Sequence, residues 1–181
     1  YHVENGGVAR TIKIKNIYKE ILRLPLPEDR LEALCVKFSK IVVDRVLKCP
    51  YVVGAEKFLE EMSAKCPLFV VSGTPHEEMN YSVDKLKLRS FFKGVYGSPT
   101  SKNEWTRQIM QDNGFKAEDL FWVGDAMSDY HAAKEYNIRF IGRVMNGKGA
   151  LKEVQAFHLI GDMSEINEII TPYFESKQLS Q

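Results

Sequence analysis

Neither sign of charge dominates this sequence: 25 Lys and Arg stand against 24 Asp and Glu, a formal net charge of +1. No basic run interleaved with aromatics occurs either, which argues against nucleic acid as a partner. Long apolar runs are absent as well. Nothing in the chain is apolar for long enough to cross a bilayer, and no signal-peptide pattern precedes the first turn, so a cytoplasmic protein without a membrane partner is expected. Cysteine is scarce. Cys35, Cys49 and Cys66 are odd in number, lie among apolar neighbours and lack CxxC spacing, which predicts reduced, buried thiols and no zinc site. Histidine does not fill the gap, because His2 and His76 have no metal-spaced partner, and His131 and His158 read as helix-surface and strand residues. The chain begins at Tyr1 and not at Met, so a truncated or processed start is expected.

What is present suffices for a sizeable core: 181 residues, 44% of them hydrophobic, suit one domain or one domain with a small insertion. Asn5-Gly6-Gly7 signals a turn. After it Val8, Ile12, Ile17, Ile21 and Leu22 share roughly one helical face, Pro25 and Pro27 interrupt, and a second helical pattern runs from Leu31 through Val46 to Pro50. Phe58, Leu59 and Met62 mark a shorter helix. From there strand and helix signals alternate. Strands are expected at Leu68–Val71, Gly94–Gly97, Leu120–Val123, Ile138–Gly142 and Phe157–Ile160. Helices are expected near His76–Leu88, Lys102–Asn113, Ala126–Tyr136 and Glu165–Ile170. This alternation predicts an α/β fold, a Rossmann-like parallel sheet with helices on both faces.

The chemistry should sit where strands end, since ligands of open α/β sheets bind beyond the strand carboxyl ends. Phe121 to Asp129 carries two acids at such a junction. Asp125 at the strand exit and Asp129 one helical turn later are expected to point into one crevice, with Gly124 permitting a sharp turn. Two carboxylates without Cys or His beside them suit Mg²⁺, although Asp pairs four apart also arise on solvated helix faces. The run ending at Val71 delivers Ser72-Gly73-Thr74 to the same crevice ahead of a helix N-terminus, a place suited to a phosphate oxygen, or else Ser72 or Thr74 merely caps that helix. Lys102, opening the helix after the strand at Gly97, supplies a point charge for phosphate or is an ordinary solvated lysine. Converging hydroxyl, ammonium and carboxylate groups favour a functional crevice.

Val70-Val71-Ser72-Gly73-Thr74, Lys102 and Val123-Gly124-Asp125-Ala126-Met127-Ser128-Asp129 resemble, in order, the second, third and fourth motifs of the haloacid dehalogenase-like (HAD) superfamily, and of its phosphoglycolate phosphatase-like members. The resemblance covers nearly everything from Tyr51 onward. It implies a Mg²⁺-dependent phosphatase of a small phosphorylated metabolite, working through an aspartyl-phosphate. Ser72, with Gly73 and Thr74, would hold the phosphoryl group; Lys102 would neutralise nucleophile and phosphate; Asp125 and Asp129 would hold the metal. It also implies a small helical cap at residues 1–50 over a core at 51–181, with Asn5 to Gly7 close to the pocket. The family's first motif, an Asp-x-Asp ending a first strand, has no counterpart. Asp29 and Asp44 lie in helical patterns, Asp84, Asp112 and Asp119 follow no strand, and Asp162 reads as a turn or cap residue.

Three readings follow. In the first, the nucleophile lies on a segment outside this chain, which alone is then inactive. In the second, the chain is a catalytically silent module or regulatory fragment of a larger enzyme, such as a sugar-nucleotide synthase. A dehalogenase or phosphonatase is disfavoured, since paired acids suit phosphoryl transfer and the cap lysine that a phosphonatase uses has no clear candidate. Trp105, Phe121 and Trp122 are expected in the core, and Lys13, Lys15 and Lys19 on a solvated helix face that could meet an acidic substrate. Met145 to Gly149 is expected as a flexible loop near the crevice.

Overall fold

The computed structural model describes residues 7–145 and 150–178. His2, Asn5, Gly6 and residues 146–149 of the expected loop lie outside the described residues, while Met145 is exposed. The N-terminal helical region comprises α1 (Arg10–Asn16), a π-helical turn (Ile17–Leu22) and α2 (Glu28–Val46). Arg23, in the left-handed conformation, ends the π-turn. Pro27 then fixes an extended entry to α2, whose first turn carries Glu28 and Asp29 where the helix dipole favours negative charge. The apolar face of the first helix is not buried as its pattern suggests. Ile12, Ile21 and Leu22 are about half exposed, and in α2 only Leu31 is fully covered.

The rest alternates as expected. α3 (Ala55–Ser63) leads to β1 (Phe69–Pro75), α4 (His76–Lys85), β2 (Gly94–Ser98) and α5 (Lys102–Asn113). β3 (Phe121–Gly124), α6 (Met127–Glu135), β4 (Arg139–Arg143), β5 (His158–Ile160) and α7 (Ile166–Gln178) complete the order. Start and stop chemistry explains α5 well. The Ser101 side chain accepts the Glu104 N–H at 3.1 Å at one end, and Gly114 turns left-handed at the other.

All strand pairings are parallel, but the ladder is divided among the described residues: β1 pairs with β2, and β3-β4-β5 form a separate three-stranded sheet. Alternation along the second sheet sends Val123 and Ile141 to one face, against Met62 of α3 and Ile166 and Ile170 of α7. Trp122 and Phe140 go to the other, against Met110 of α5 and Ala133 and Tyr130 of α6. Helices therefore cover both faces, as in other α/β sheets.

One smaller expectation changes. The thiols are free but not buried, with Cys49 exposed and Cys35 and Cys66 half-buried, because α2, which carries Cys35, leaves much of its surface to solvent and Cys49 lies in the turn that follows it. Phe121 and Trp122 pack against the core as expected, and Trp105 is half-buried. Trp105 lies against His76 and Tyr96 and donates to the Gly97 carbonyl at 2.9 Å. His131 and His158 are exposed on a helix and a strand, as expected. Asp162 does cap, accepting the Ser164 N–H at 2.8 Å, which with the Ser164 hydroxyl holds its carboxyl below the usual range.

Candidate active site

The crevice is built from the exits of β1 and β3, and Gly7 shows that the two exits meet. A Cβ on Gly7 would strike Ser128 Oγ and come within 3.0 Å of Ala126 Cβ and 3.1 Å of Lys102 Nζ, and a Cβ on Gly73 would strike the Gly7 carbonyl. Backbone from the N-terminal segment thus threads between Ser72-Gly73-Thr74 on one side and Ala126 to Ser128 on the other. Gly7 is left-handed at φ +71°, so both its conformation and its crowding call for glycine.

At the β1 exit the strand continues further than its apolar run, to Pro75. Val71 pairs with Tyr96 and Pro75 with Ser98, so four steps on β1 answer two on β2, and Ser72-Gly73-Thr74 bulges out of the ladder. Ser72 Oγ accepts the Thr74 N–H at 3.1 Å. Neither hydroxyl caps α4, whose N-cap is Pro75 and receives no side-chain bond, so the simple capping role does not apply. Among the described residues no His, Asp, Glu or Lys side chain hydrogen-bonds to Ser72.

At the β3 exit Asp129 is the best-anchored group of the site. Its Oδ2 accepts the Ala126 N–H at 3.1 Å, closing the first turn of α6 as a capping box does, and its Oδ1 accepts from Lys102 Nζ at 2.5 Å and Trp122 Nε1 at 3.3 Å. The Lys102 and Asp129 side chains are only 10% and 8% exposed. Gly124 earns its place differently from the expectation of a sharp turn. A Cβ there would overlap the Asp129 side chain, 2.7 Å from Oδ2, so glycine makes room for the carboxylate to fold back on its own helix. Asp125, by contrast, is exposed.

Two separately expected duties therefore fall on one partnership. Lys102, read as a charge for phosphate, and Asp129, read as a metal ligand, are a buried ion pair, held in place from the α5 side by the Thr106 hydroxyl donating to the Lys102 carbonyl at 2.6 Å. Sequence reasoning missed Trp122 as a donor to this carboxylate. Alternation along β3 puts it on the α6 face, and the seven-residue separation from Asp129 gives no periodic signal. Ser128 also went unnoticed; its Oγ is buried and has no hydrogen-bond partner among the described residues. For a hard cation the donor set fits in kind: Asp129 retains acceptor capacity beyond its three bonds, Asp125 is open to solvent, and Ser128 Oγ lies between them in sequence. Among the described residues no group of three or more His, Cys, Asp or Glu side chains is gathered, so water and a phosphate oxygen would have to supply the remaining ligands.

The sequence pattern of the haloacid dehalogenase-like hydrolases matches residues 9–143, well over half of the chain. The chain belongs to this family. Solved structures agree on the HAD fold. A haloacid dehalogenase-like hydrolase of Streptococcus pneumoniae is 20% identical with a TM-score of 0.68, the match spanning 92% of this chain and 94% of that one. A structure described as a predicted phosphatase of Clostridium acetobutylicum is 18% identical with a TM-score of 0.75, spanning 92% and 78%. One described as a predicted phosphoglycolate phosphatase of Haemophilus somnus is 16% identical with a TM-score of 0.75, spanning 92% and 79%. No curated protein sequence matches significantly. The family makes the chain a hydrolase by kinship, and no helix among the described residues is long and apolar enough to cross a membrane.

Proposed function

We propose that this chain is the larger part of a Mg²⁺-dependent phosphatase of a small phosphorylated metabolite, working through an aspartyl-phosphate whose nucleophile lies on a segment outside these 181 residues. The observation that carries the reading is the buried Lys102–Asp129 pair at the meeting point of the β1 and β3 exits. A buried ammonium and carboxylate cost desolvation that an apolar pair would not, which is consistent with a chemical use for them. In this reading the Ser72-Gly73-Thr74 bulge cradles phosphoryl oxygens by hydroxyl and backbone N–H, and Lys102 neutralises the charge that develops there. Asp125 and Asp129 would hold Mg²⁺, which when bound offsets phosphate charge without any proton movement. The helices before Tyr51 serve as a cap over the crevice, and Gly7 is their nearest described approach to it. Three free cysteines suit a cytoplasmic setting.

A carboxylate nucleophile in line with the leaving oxygen, and a second acid to protonate that oxygen, are needed for turnover. Ser72 cannot replace the first, since among the described residues no base hydrogen-bonds to its hydroxyl, whose oxygen accepts the Thr74 N–H. A catalytically silent or regulatory module is the second reading, favoured by Lys102 closing on Asp129 in a buried ion pair. Phosphate release from sugar and glycolate phosphates, measured with this chain and with a form extended ahead of Tyr1, separates the two. The short chain should be inactive and the extended one active, with Asp125→Asn weakening Mg²⁺ binding by calorimetry. Enzymatic turnover by the short chain defeats the first reading, and inactivity of both forms favours the second.

A further inference from the structure

Two cavities stand out among the described residues. The smaller, of about 290 Å³, is lined by apolar side chains of β1 and β3 and belongs to the interior between the sheets. The larger, of about 410 Å³, is an open cleft where the last turn of α5 meets the end of α6, lined by Arg107, Met110, Gln111, Gly114, Phe115 and Tyr136. α5 carries Lys102 at its start and this cleft at its end, so at 1.5 Å per residue the crevice and the cleft stand about 17 Å apart. The crevice chemistry does not account for it.

Floor and rim differ in character. Met110 and Tyr136 pack on the core beneath α6, and the Phe115 ring stands edge-on to Phe69 with centroids 6.3 Å apart, so the floor is apolar and held from below. Gly114 turns left-handed at φ +66°, and a Cβ on it would meet nothing within 4 Å. On the rim Arg107 and Gln111 are exposed and one helical turn apart, and Arg107 Nη1 donates to Gln111 Oε1 at 2.9 Å. That bond engages the amide oxygen and one guanidinium N–H. What the two side chains offer outward is therefore mainly N–H donors.

Charge narrows the ligand further. Burial and the Glu135 charge raise the Tyr136 phenol above its ordinary value, with Glu104 adding to them and Arg107 acting against them. One guanidinium thus shares the cleft with two carboxylates and with the negative ends of two helices. An anion is repelled by these surroundings, and a cation is repelled by Arg107. A plain hydrocarbon ring would cover the Arg107 and Gln111 N–H groups without pairing them. A neutral, planar heteroaromatic with two adjacent acceptors on one edge meets every condition. It lays its face on the aromatic floor and takes the guanidinium on its edge, as arginine takes the ring nitrogen and carbonyl oxygen of guanine.

We propose that this cleft is a binding site for a neutral guanine-type purine, its ring against Met110, Phe115 and Tyr136 and its paired acceptors on Arg107. A nucleoside suits the volume, since small-ligand sites span roughly 300 to 1,000 Å³. The site uses none of Ser72, Lys102 or Asp129, so its fate is independent of the phosphatase reading.

Guanosine titrated into the isotope-labelled 181-residue chain, followed by amide shifts, is the test. Expected is saturable one-to-one binding that moves Gln111, Gly114, Phe115 and Tyr136. 7-Deazaguanosine, in which carbon replaces the accepting ring nitrogen, should bind at least about fivefold more weakly. Arg107→Met, which keeps the chain length and removes the donors, should weaken guanosine at least about tenfold, and Arg107→Lys should not restore full affinity, because the ammonium lacks the fork. Gly114→Asn tolerates the left-handed turn but places a side chain in the open space, and should block binding. Absence of saturable shifts, shifts centred outside the cleft, equal binding of 7-deazaguanosine, or full affinity in Arg107→Met overturns the proposal. So does tighter binding of benzoate or tryptamine than of guanosine, which would give the cleft to an anion or a cation.

Discussion

Arg10–Glu78 and Lys102–Asp129 are about equally deep, with side chains 10% and 10% exposed against 10% and 8%, and contacts of 2.7 and 2.5 Å. Their wiring differs. Arg10 grips Glu78 with two nitrogens, at 2.7 and 2.9 Å, lies 4.6 Å from the centre of the Phe38 ring, and shares the carboxylate with Ser39, whose hydroxyl donates to it at 2.7 Å. The Glu78 contacts tie α1 and α2 to α4, and the Phe38 contact ties α1 to α2. Lys102 meets Asp129 through one nitrogen, and the other bonds of Asp129 run to its own helix start and to Trp122. The first pair joins parts of the chain 68 residues apart and acts as a clasp. The second presents a single mobile-stemmed ammonium to a carboxylate that is already held without it. A guanidinium fork fixes geometry, while an ammonium point charge can change partners, so the clasp is read as architecture and the crevice pair as chemistry.

Breaking the clasp should have the largest effect. Arg10→Ala strands the Glu78 carboxylate and removes the Phe38 contact, with an expected loss of about 3 to 5 kcal/mol in urea unfolding. Lys102→Ala should cost less, about 1 to 3 kcal/mol, since Asp129 keeps its bonds to Ala126 and Trp122, and it should sharply reduce phosphate binding seen by amide shifts. If Lys102→Ala proves the more destabilising of the two, the division between clasp and chemical pair is wrong.

Acid offers a finer probe. Burial pushes the Glu78 carboxyl up, but hydrogen bonds from Arg10 and Ser39 and the Arg10 charge outweigh it and hold the group below its ordinary value. With the folded-state pKa depressed, the stabilisation is complete at neutral pH. It is lost as pH falls from the unfolded value of about 4.3 through the folded one. Stability of Arg10→Ala should therefore fall less steeply than wild type over that acid limb, and parallel curves would remove Glu78 from the account. The smallest effect is expected for Trp122→Phe. Losing one bond of 3.3 Å should cost about 0.5 to 1.5 kcal/mol, with Tm as the measure.

Local signals made much of this legible in advance. Ser101 and Gly114 bracket α5 at the expected ends, because a hydroxyl cap and a left-handed glycine act within one turn of chain. β3 and β4 were visible as short apolar runs between turns, and the order of strand, helix and acid around Gly124 marked a crevice. The apolar stripe of α1 and the π-turn misled, since periodicity reports a face that can be buried without saying what covers it. The reason for Gly124 was hidden as well. A turn and a close side-chain approach demand the same residue, and only the folded-back Asp129 tells them apart.

The sequence by itself determined the alternation of helices and strands, the parallel sense of the sheet and the residue types at each strand exit, because these follow from hydrophobic period and near-neighbour chemistry. Tertiary structure alone decided that Lys102 would take Asp129 as its partner across 27 residues, that Arg10, Ser39 and Glu78 would form one clasp, and that β1 and β3 would face each other across an apolar cavity. Contacts between distant residues carry no period and no local propensity, so they become readable only when packing has brought the elements together.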